Sequence, residues 1–455
     1  MNLIRSISGL RGVVGDSLTP DVIVKYSAAF AQYCNRGRIV IGRDGRVSGK
    51  IIGHIVSSTL LSMGCDVVAL GIVPTPTVAL AVEKLGAAGG IAITASHNPM
   101  QWNGLKFIDE DGLFLNLEEN EKLWKIVDRN DFRFTSWDKL GQHVSNERFI
   151  DEHIDSILKL SYINPQQIRK KKFKVVVDCI NAAGGAVVPK LLRNLGCDVI
   201  EMNCEVSGIF SRTPEPIPEN LNELCSRVLE EKADFGIAVD PDVDRLVLIT
   251  EKGEPFGEEY TITTVVKFIL EKQKLLTTNY STQAVVVNLS TTRAVDDVAK
   301  ELGAEIYRTP VGEINVAKKM KEVGAIIGGE GSGGVILPVV HYGRDAIVGI
   351  VLVLQQLSEF EGRLSDLKLS LPQYTIKKSK VDFHGNDYNE IIKNIIDKYG
   401  SSGKVNIDDG LKIDFQQSWI HLRKSNTEPI IRIIAEAPSS IEADELINKF
   451  RREIF

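Results

Sequence analysis

Three β-branched runs, each followed by a polar turn and then by helical periodicity, constrain this chain more than any other feature. They are 38–43 (RIVIGR), 174–178 (KVVVD) and 284–288 (AVVVN). Continuous Val/Ile runs bounded by Gly, Asn and Asp fit strands buried on both faces of an α/β sheet. Apolar residues recur at three- and four-residue steps over 183–195 and 292–302, which predicts helices there. The economical reading is three α/β units in tandem. The 455 residues leave room for about three domains, with two to four allowed. The last stretch differs. After Pro372 come two helix-like runs separated by Asp408, Asp409 and Gly410, with alternating Leu411, Ile413 and Phe415 after the turn. That pattern predicts a smaller α+β unit.

Composition removes several function classes. Hydrophobic residues make up 43% and charged residues 25%, a globular balance. The first fifteen residues contain no apolar core of a secretory signal. The longest apolar run, 346–354, is nine residues, against the roughly 20 that a membrane helix requires. No membrane partner is expected. The six cysteines form no CxxC pair and no Cys/His cluster, which predicts free, mostly buried thiols and a reducing, cytoplasmic setting. The formal net charge is −6, with no basic stripe interleaved with aromatics, so nucleic acid is not an expected partner. A site for an anion must gather positive charge locally.

Four stretches carry chemistry. In 91–99 (IAITASHNP) an apolar strand runs into a polar turn, placing Ser96 at a strand's carboxyl end, where open α/β sheets collect ligands. Ser96 can be a nucleophile, with His97 and Asn98 beside it. A serine–histidine hydrolase is disfavoured, because neighbours on a turn seldom aim at one another and no GxSxG elbow surrounds the serine. In 239–245 (VDPDVDR), Asp240, Asp242 and Asp244 alternate in a tight loop and offer hard oxygen ligands suited to Mg²⁺. The calcium-loop alternative places Glu251 at its twelfth position. It fails at the sixth, where Arg245 stands in place of Gly and the following LVLIT reads as a strand.

The third stretch, 328–338 (GGEGSGGVILP), formally satisfies GxGxxG. A dinucleotide site also needs a helix to begin there, and Val335-Ile336-Leu337-Pro338 cannot start one. A Gly-flanked loop bearing Glu330 and Ser332 can instead read sugar hydroxyls, or it is a plain tight turn. The fourth, 421–432 (HLRKSNTEPIIR), packs Ser425, Asn426 and Thr427 between Arg423 and, on the next strand, Arg432. Arginine forks and backbone N–H nests hold a phosphate that must not react. A nucleophile, a cation site, a polyol reader and a phosphate anchor in four successive segments predict a cleft shared by four domains.

With these motifs in order, the chain resembles the α-D-phosphohexomutase superfamily over essentially its whole length. TASHNP at 94–99 looks like that family's serine loop, DPDVDR at 240–245 its metal loop, GEGSG at 329–333 its sugar loop and RKSNTEP at 423–429 its phosphate loop. SGLRG at 8–12, GRDGR at 42–46, NGLK at 103–106, PEPIPENL at 214–221 and RTPVGE at 308–313 support the match. The resemblance implies three similar α/β domains with mixed sheets and a smaller C-terminal α+β domain around a central cleft. We place these domains at 1–150, 151–256, 257–368 and 369–455. It implies that Ser96 is phosphorylated and joins Asp240, Asp242 and Asp244 around Mg²⁺. The phosphoryl group would pass between the 6- and 1-positions of a hexose through a 1,6-bisphosphate, which also serves as activator. Arg11, His97, Lys106 and Arg245 would surround the transferring group, with Lys106 as proton shuttle and Arg11 as charge stabiliser. Gly312, Glu313, Glu330 and Ser332 would read the sugar, and Arg423, Ser425, Asn426, Thr427 and Arg432 its distal phosphate.

Two positions depart from patterns common in the family. Gly334 stands where many bacterial members carry histidine, and Glu313 where phosphomannomutases often carry histidine and glucosamine-type enzymes aspartate. An acidic residue near the sugar's C2 favours a 2-ammonium group, so glucosamine phosphate is the expected substrate, with mannose or glucose phosphate as alternatives. Outside the family, the rival readings are a non-catalytic sugar-phosphate binder and a phosphoserine-dependent phosphatase. A monomer or homodimer is expected.

Overall fold

The computed structural model describes residues 3–276, 283–383, 387–424 and 430–454. Seven strands form the first sheet: β1 Ile4–Ser6, β2 Gly9–Val13, β3 Ile39–Arg43, β4 Val67–Ile72, β5 Gly89–Ile93, β6 Trp102–Ile108 and β7 His143–Ser145. Their spatial order is β1-β2-β6-β5-β3-β4-β7. The second sheet holds β8 Lys174–Asp178, β9 Asp198–Met202, β10 Phe235–Val239 and β11 Leu246–Thr250, ordered β11-β10-β8-β9. The third holds β12 Ala284–Asn288, β13 Glu305–Thr309, β14 Ile327–Glu330 and β15 Gly334–Ile336, ordered β15-β14-β12-β13.

One four-stranded plan recurs three times. In each unit the first strand is central, the second pairs parallel on one side and the third parallel on the other. A hairpin then returns the fourth strand antiparallel to the third. The sheets are therefore mixed, as expected. The central runs β8 and β12 are almost wholly buried because they lie between two neighbouring strands with helices on both faces. The helices after them are Gly184–Asn194 and Ala294–Leu302, starting one and two residues later than the periodicity predicts. Those early residues turn the chain out of the strand before the helix begins. The apolar run 346–354 belongs to the helix Ala346–Glu359, buried along nearly its whole length. Among the described residues no helix is long and apolar enough to cross a membrane. All six cysteines are free, four of them buried.

The fourth sheet is antiparallel throughout: β16 Thr375–Asp382, β17 Lys404–Asn406, β18 Leu411–Asp414, β19 Trp419–Lys424 and β20 Ile430–Ala437, ordered β16-β20-β19-β18-β17. The helices Tyr388–Tyr399 and Ser440–Ile454 complete this α+β unit. The first three units share one continuous hydrophobic cluster, whereas the fourth has its own, around Ile413, Leu422, Ile433 and Phe450. Its contacts with the third unit include polar ones. Val311 N donates to Asp409 Oδ2 (2.9 Å), Arg293 N donates to Glu436 Oε1 (2.9 Å), and Ser290 Oγ lies 2.9 Å from His421 Nδ1.

Candidate active site

The three-fold plan explains where the site lies. The hairpin joining the third and fourth strands of each unit carries one motif: the Ser96 loop between β5 and β6, the aspartate loop between β10 and β11, and the Glu330 loop between β14 and β15. Chemically unrelated segments thus occupy equivalent places and are brought face to face by the packing of the units.

Ser96 is buried and sits at φ +49°, in the left-handed region. Non-glycine residues there carry strain of order 1–3 kcal/mol that the surroundings must hold in place. Here the clamp is Arg46, itself buried. Its Nη2 donates to the Ser96 and Asn98 carbonyls (2.6 and 2.7 Å), its Nη1 to those of Pro99 and Trp102 (2.7 and 3.0 Å), and its Nε to Asp44 (3.0 Å). Asp44 also accepts from the Thr94 hydroxyl at 2.7 Å. The turn brings Ser96 Oγ within 3.3 Å of His97 Nδ1, a proximity that adjacency alone did not predict. Arg245 Nη2 is 3.1 Å from the same nitrogen. A guanidinium only donates, so Nδ1 is the accepting nitrogen. Burial, then Arg245 and Arg11, push the imidazole down to about 3, so it is neutral. Arg11, on β2, donates to Asn98 Oδ1 at 3.0 Å.

Asp240, Asp242 and Asp244 are all buried, with one oxygen of each within 4.8 Å of the others. Asp240 Oδ1 accepts from the Asp244 and Arg245 N–H groups (3.1 and 3.2 Å), and Val243 takes φ +61° to close the loop. A β-branched residue there is a true outlier. Asp240 Oδ2 lies 3.5 Å from Ser96 Oγ. Burial, then Asp244 and Asp242, hold the Asp240 carboxyl well above the usual range. At Asp242 burial also pushes upward, but Lys106 together with hydrogen bonds to Asp240 and Thr75 outweighs it and the group is held low. Lys106 Nζ pairs with Asp242 Oδ2 at 2.7 Å and with Asp244 Oδ2 at 3.6 Å. Burial disfavours its charge, yet the two aspartates keep it an ammonium. Asp242 Oδ1 and Asp244 Oδ1 are buried without a hydrogen-bond partner. Clustered carboxylates with orphaned oxygens are the donor set a hard divalent cation takes.

In the third hairpin Glu330 is buried and both its oxygens are engaged. Oε1 accepts from Asn288 Nδ2 (2.8 Å) and Gly312 N (3.0 Å), and Oε2 from Arg344 Nη1 (2.6 Å). Gly312 takes φ +129°, a conformation that favours glycine, and helix Glu313–Val323 follows it. Both Glu313 oxygens face Arg344, Oε1 at 2.8 Å from its N and Oε2 at 3.2 Å from its Nε. Ser332 is half-buried in the turn. In the fourth unit Arg423 and the exposed Arg432 face each other across β19 and β20, and Arg423 Nε pairs with Asp409 Oδ2 at 2.8 Å. Ser425, Asn426 and Thr427 lie outside the described residues.

Sequence reading missed Arg344 and left Asp44 and Arg46 without roles. GRDGR supplied a signal for the latter pair. For Arg344 the signal was an arginine immediately before Asp345, which caps helix Ala346–Glu359. A cation at a helix N-terminus opposes the dipole and so calls for another reason to be there.

Comparison with known proteins agrees with this architecture. Models of the phosphoglucomutase/phosphomannomutase alpha/beta/alpha domains I, II and III match residues 3–134, 151–253 and 259–374, and that of the C-terminal domain matches 379–453. A probable phosphoglucosamine mutase of Methanopyrus kandleri is 36% identical over 446 residues, covering 97% of this chain and 96% of its own. A phosphoglucomutase/phosphomannomutase of Thermococcus kodakarensis is also 36% identical, covering 96% and 95%. The crystal structure of a phosphoglucomutase/phosphomannomutase family protein from Burkholderia thailandensis superposes with a TM-score of 0.84 at 25% identity, covering 99% and 98%. Fold, relatives and site define an isomerase of the phosphohexomutase class. The chain belongs to the phosphoglucomutase/phosphomannomutase family.

Proposed function

We propose that this enzyme interconverts glucosamine 6-phosphate and glucosamine 1-phosphate through a phosphoserine at Ser96 and a glucosamine 1,6-bisphosphate intermediate. The observation that carries the phosphoserine is Ser96 Oγ 3.5 Å from Asp240 Oδ2, at the edge of a buried triad whose Asp242 and Asp244 oxygens lack partners. Asp240, Asp242 and Asp244 would hold Mg²⁺, which when bound neutralises charge on the transferring phosphoryl group. Arg11 and Arg245 add fixed positive charge beside it. Lys106, held as an ammonium, gives a proton to the departing serine oxygen and takes back the one that the attacking sugar hydroxyl loses, and neutral His97 accepts a hydrogen bond from the serine hydroxyl. Phosphoryl transfer asks for positioning and charge more than for bond chemistry, and these groups supply both.

Glu330, Ser332, Gly312 and Glu313 read the sugar, while Arg423 and Arg432, with Ser425, Asn426 and Thr427, take the distal phosphate. The separate core of the last unit suits it to open for substrate and close over the turning bisphosphate. We place the domains at 1–150, 151–256, 257–368 and 369–455; the number and order of the four family matches support this division, and the third match runs six residues past its third boundary. Glucosamine is favoured by the relatives bearing that name. It is favoured too by charge: two carboxylates against one guanidinium around the sugar loop suit an ammonium group.

The test is a coupled isomerase assay with Mg²⁺ and sugar bisphosphate, run on glucosamine 6-phosphate, glucose 1-phosphate and mannose 1-phosphate, with Ser96→Ala beside the wild type. Glucosamine phosphate should lead by about tenfold in kcat/KM, about 1.4 kcal/mol, and Ser96→Ala should lose roughly 10³-fold or more. Equal rates on all three sugars would overturn the substrate, an active Ser96→Ala the phosphoserine. Inorganic phosphate as the main product would make the enzyme a phosphatase.

A further inference from the structure

Arg245 joins the first two equivalent hairpins, and Arg344 joins the aspartate hairpin to the Glu330 hairpin. Its Nη2 pairs with Asp244 Oδ2 at 2.6 Å, its Nη1 with Glu330 Oε2 at 2.6 Å and its Nε lies 3.2 Å from Glu313 Oε2. Its backbone N–H donates to Glu313 Oε1 at 2.8 Å. The side chain is 10% exposed. Only a planar fork with several donors can meet three carboxylates arriving from three directions; a lysine ammonium would serve fewer of them.

Two features hold the guanidinium there. The first is room. A Cβ at Gly334 would overlap Arg344 Cδ and fall 3.0 Å from its Cγ and 3.3 Å from its Nε. Gly334 lies outside the left-handed region, so what is required there is space and not conformational freedom.

The second is a brace at the next residue. Asp345 Oδ2 accepts from His153 Nε2 (2.7 Å) and His341 Nε2 (2.9 Å), and Oδ1 accepts from Ile347 N (2.7 Å) and Val348 N (3.3 Å). His341 Nδ1 accepts the Gly343 N–H at 2.9 Å, which puts its proton on Nε2. His153 Nδ1 lies 2.9 Å from Thr77 Oγ1. A protonated Nε2 cannot ligate a metal, so this buried His–Asp–His group is a hydrogen-bonded support. It reaches from helix Thr75–Lys84 through helix Phe149–Leu158 to the start of helix Ala346–Glu359.

We propose that Arg344 is a positioning residue that couples the aspartate loop to the sugar-reading carboxylates Glu313 and Glu330, with Gly334 leaving it the space to do so. The inference rests on the proposed roles of the two loops. Asp244 shares its charge between Arg344 and whatever cation the triad holds. A cation at the triad weakens that pair and leaves the guanidinium to Glu313 and Glu330. The two loops then respond to each other, and the linkage is reciprocal.

The test is isothermal titration of Mg²⁺ alone, and of glucose 6-phosphate in saturating Mg²⁺, into wild type, Arg344→Gln and Gly334→Ala. Removing the competing guanidinium should tighten Mg²⁺ binding while glucose 6-phosphate binding weakens, each by roughly fivefold or more. Gly334→Ala keeps every charge and displaces only the side chain, so it should move both constants in the same opposed directions, less far. A purely structural role would weaken both ligands together. Parallel weakening in both variants, or no change in either, overturns the proposal. If Arg344→Gln does not fold, Gly334→Ala decides alone. Failure of Mg²⁺ to bind wild type would instead overturn the reading of the aspartate loop.

Discussion

The hairpins β10–β11 and β14–β15 occupy the same place in two copies of one strand plan, yet they solve opposite electrostatic problems. In the first, three buried carboxylates crowd together, and Lys106 and Arg344 neutralise them only in part, so two oxygens are left without hydrogen-bond partners. In the second, Glu330 has every oxygen satisfied, by Asn288, Gly312 and Arg344. A loop with unmet acceptors is prepared for a cation, and a loop with met acceptors is a rigid surface. The difference teaches that the repeated backbone sets only position. Whether a hairpin does chemistry or recognition depends on how completely its own neighbours answer its polar atoms.

The comparison breaks most visibly at Asp242. Asp242→Asn removes one proposed cation ligand and leaves Lys106 facing an amide, so kcat should fall roughly 10³-fold, about 4 kcal/mol of transition-state stabilisation. KM for the hexose phosphate should stay within about threefold. Steady-state kinetics at saturating Mg²⁺ checks this. A change mainly in KM would mean that the two loops are not divided as argued.

The fourth unit stands outside the repeat and serves as a control. His421, on β19, is buried with Nδ1 2.9 Å from Ser290 Oγ and Nε2 2.7 Å from the Asp409 carbonyl. Burial is the main cause that lowers its imidazole to about 4 from the ordinary 6.5. Because the folded value is the lower one, the unfolded chain binds the proton more readily. Stability is therefore full above about 6.5, falls as pH drops, and is wholly lost from this group near 4. The 2.5-unit difference amounts to at most about 3.4 kcal/mol. Thermal melting from pH 7.5 to 4 should show this slope, and His421→Gln should flatten it. An unchanged slope in His421→Gln would show that the docking of the fourth unit is not the acid-sensitive contact.

Much of this was legible beforehand because it depends on local pattern. KVVVD and AVVVN became strands with the expected bounds, and the alternating aspartates did converge. The threefold strand plan was not legible in detail, since topology depends on which strands pair and not on what any one of them contains. Arg344 was invisible for a related reason. Its carboxylate partners lie 14, 31 and 100 positions away, and nothing in the spacing of HYGRDAI says which acids a lone arginine will meet. Glu313 shows the converse. RTPVGE marks it as an acidic residue at a candidate sugar-reading position, but its engagement with Arg344 is a tertiary fact. The Ser96–His97 approach was also missed, because it follows from a strained backbone angle held by the Arg46 clamp and by the Thr94 hydroxyl, which accepts from the Ser96 N–H at 2.9 Å.

The smallest expected effect is at Glu330, and it sharpens the comparison from the other side. Glu330→Gln preserves shape and one carbonyl oxygen, which can still accept from Asn288 and Gly312. The new amide nitrogen must then face the Arg344 Nη1, donor against donor, where a carboxylate oxygen had accepted at 2.6 Å. Losing one charge-assisted bond in a buried setting costs about 1.5–3 kcal/mol. Part of that is recovered as Arg344 leans towards Asp244 and Glu313. The remainder should appear as a KM for hexose phosphate raised about tenfold, with kcat within about twofold, if the carboxylate orients the sugar as proposed without touching the transferring group. Asp242→Asn and Glu330→Gln would then give complementary kinetic signatures from equivalent hairpins. A matched fall in kcat for both would mean that Arg344 carries charge changes in the sugar loop through to the reacting phosphate, and the division of labour would lie between the arginine and the triad instead of between the two loops.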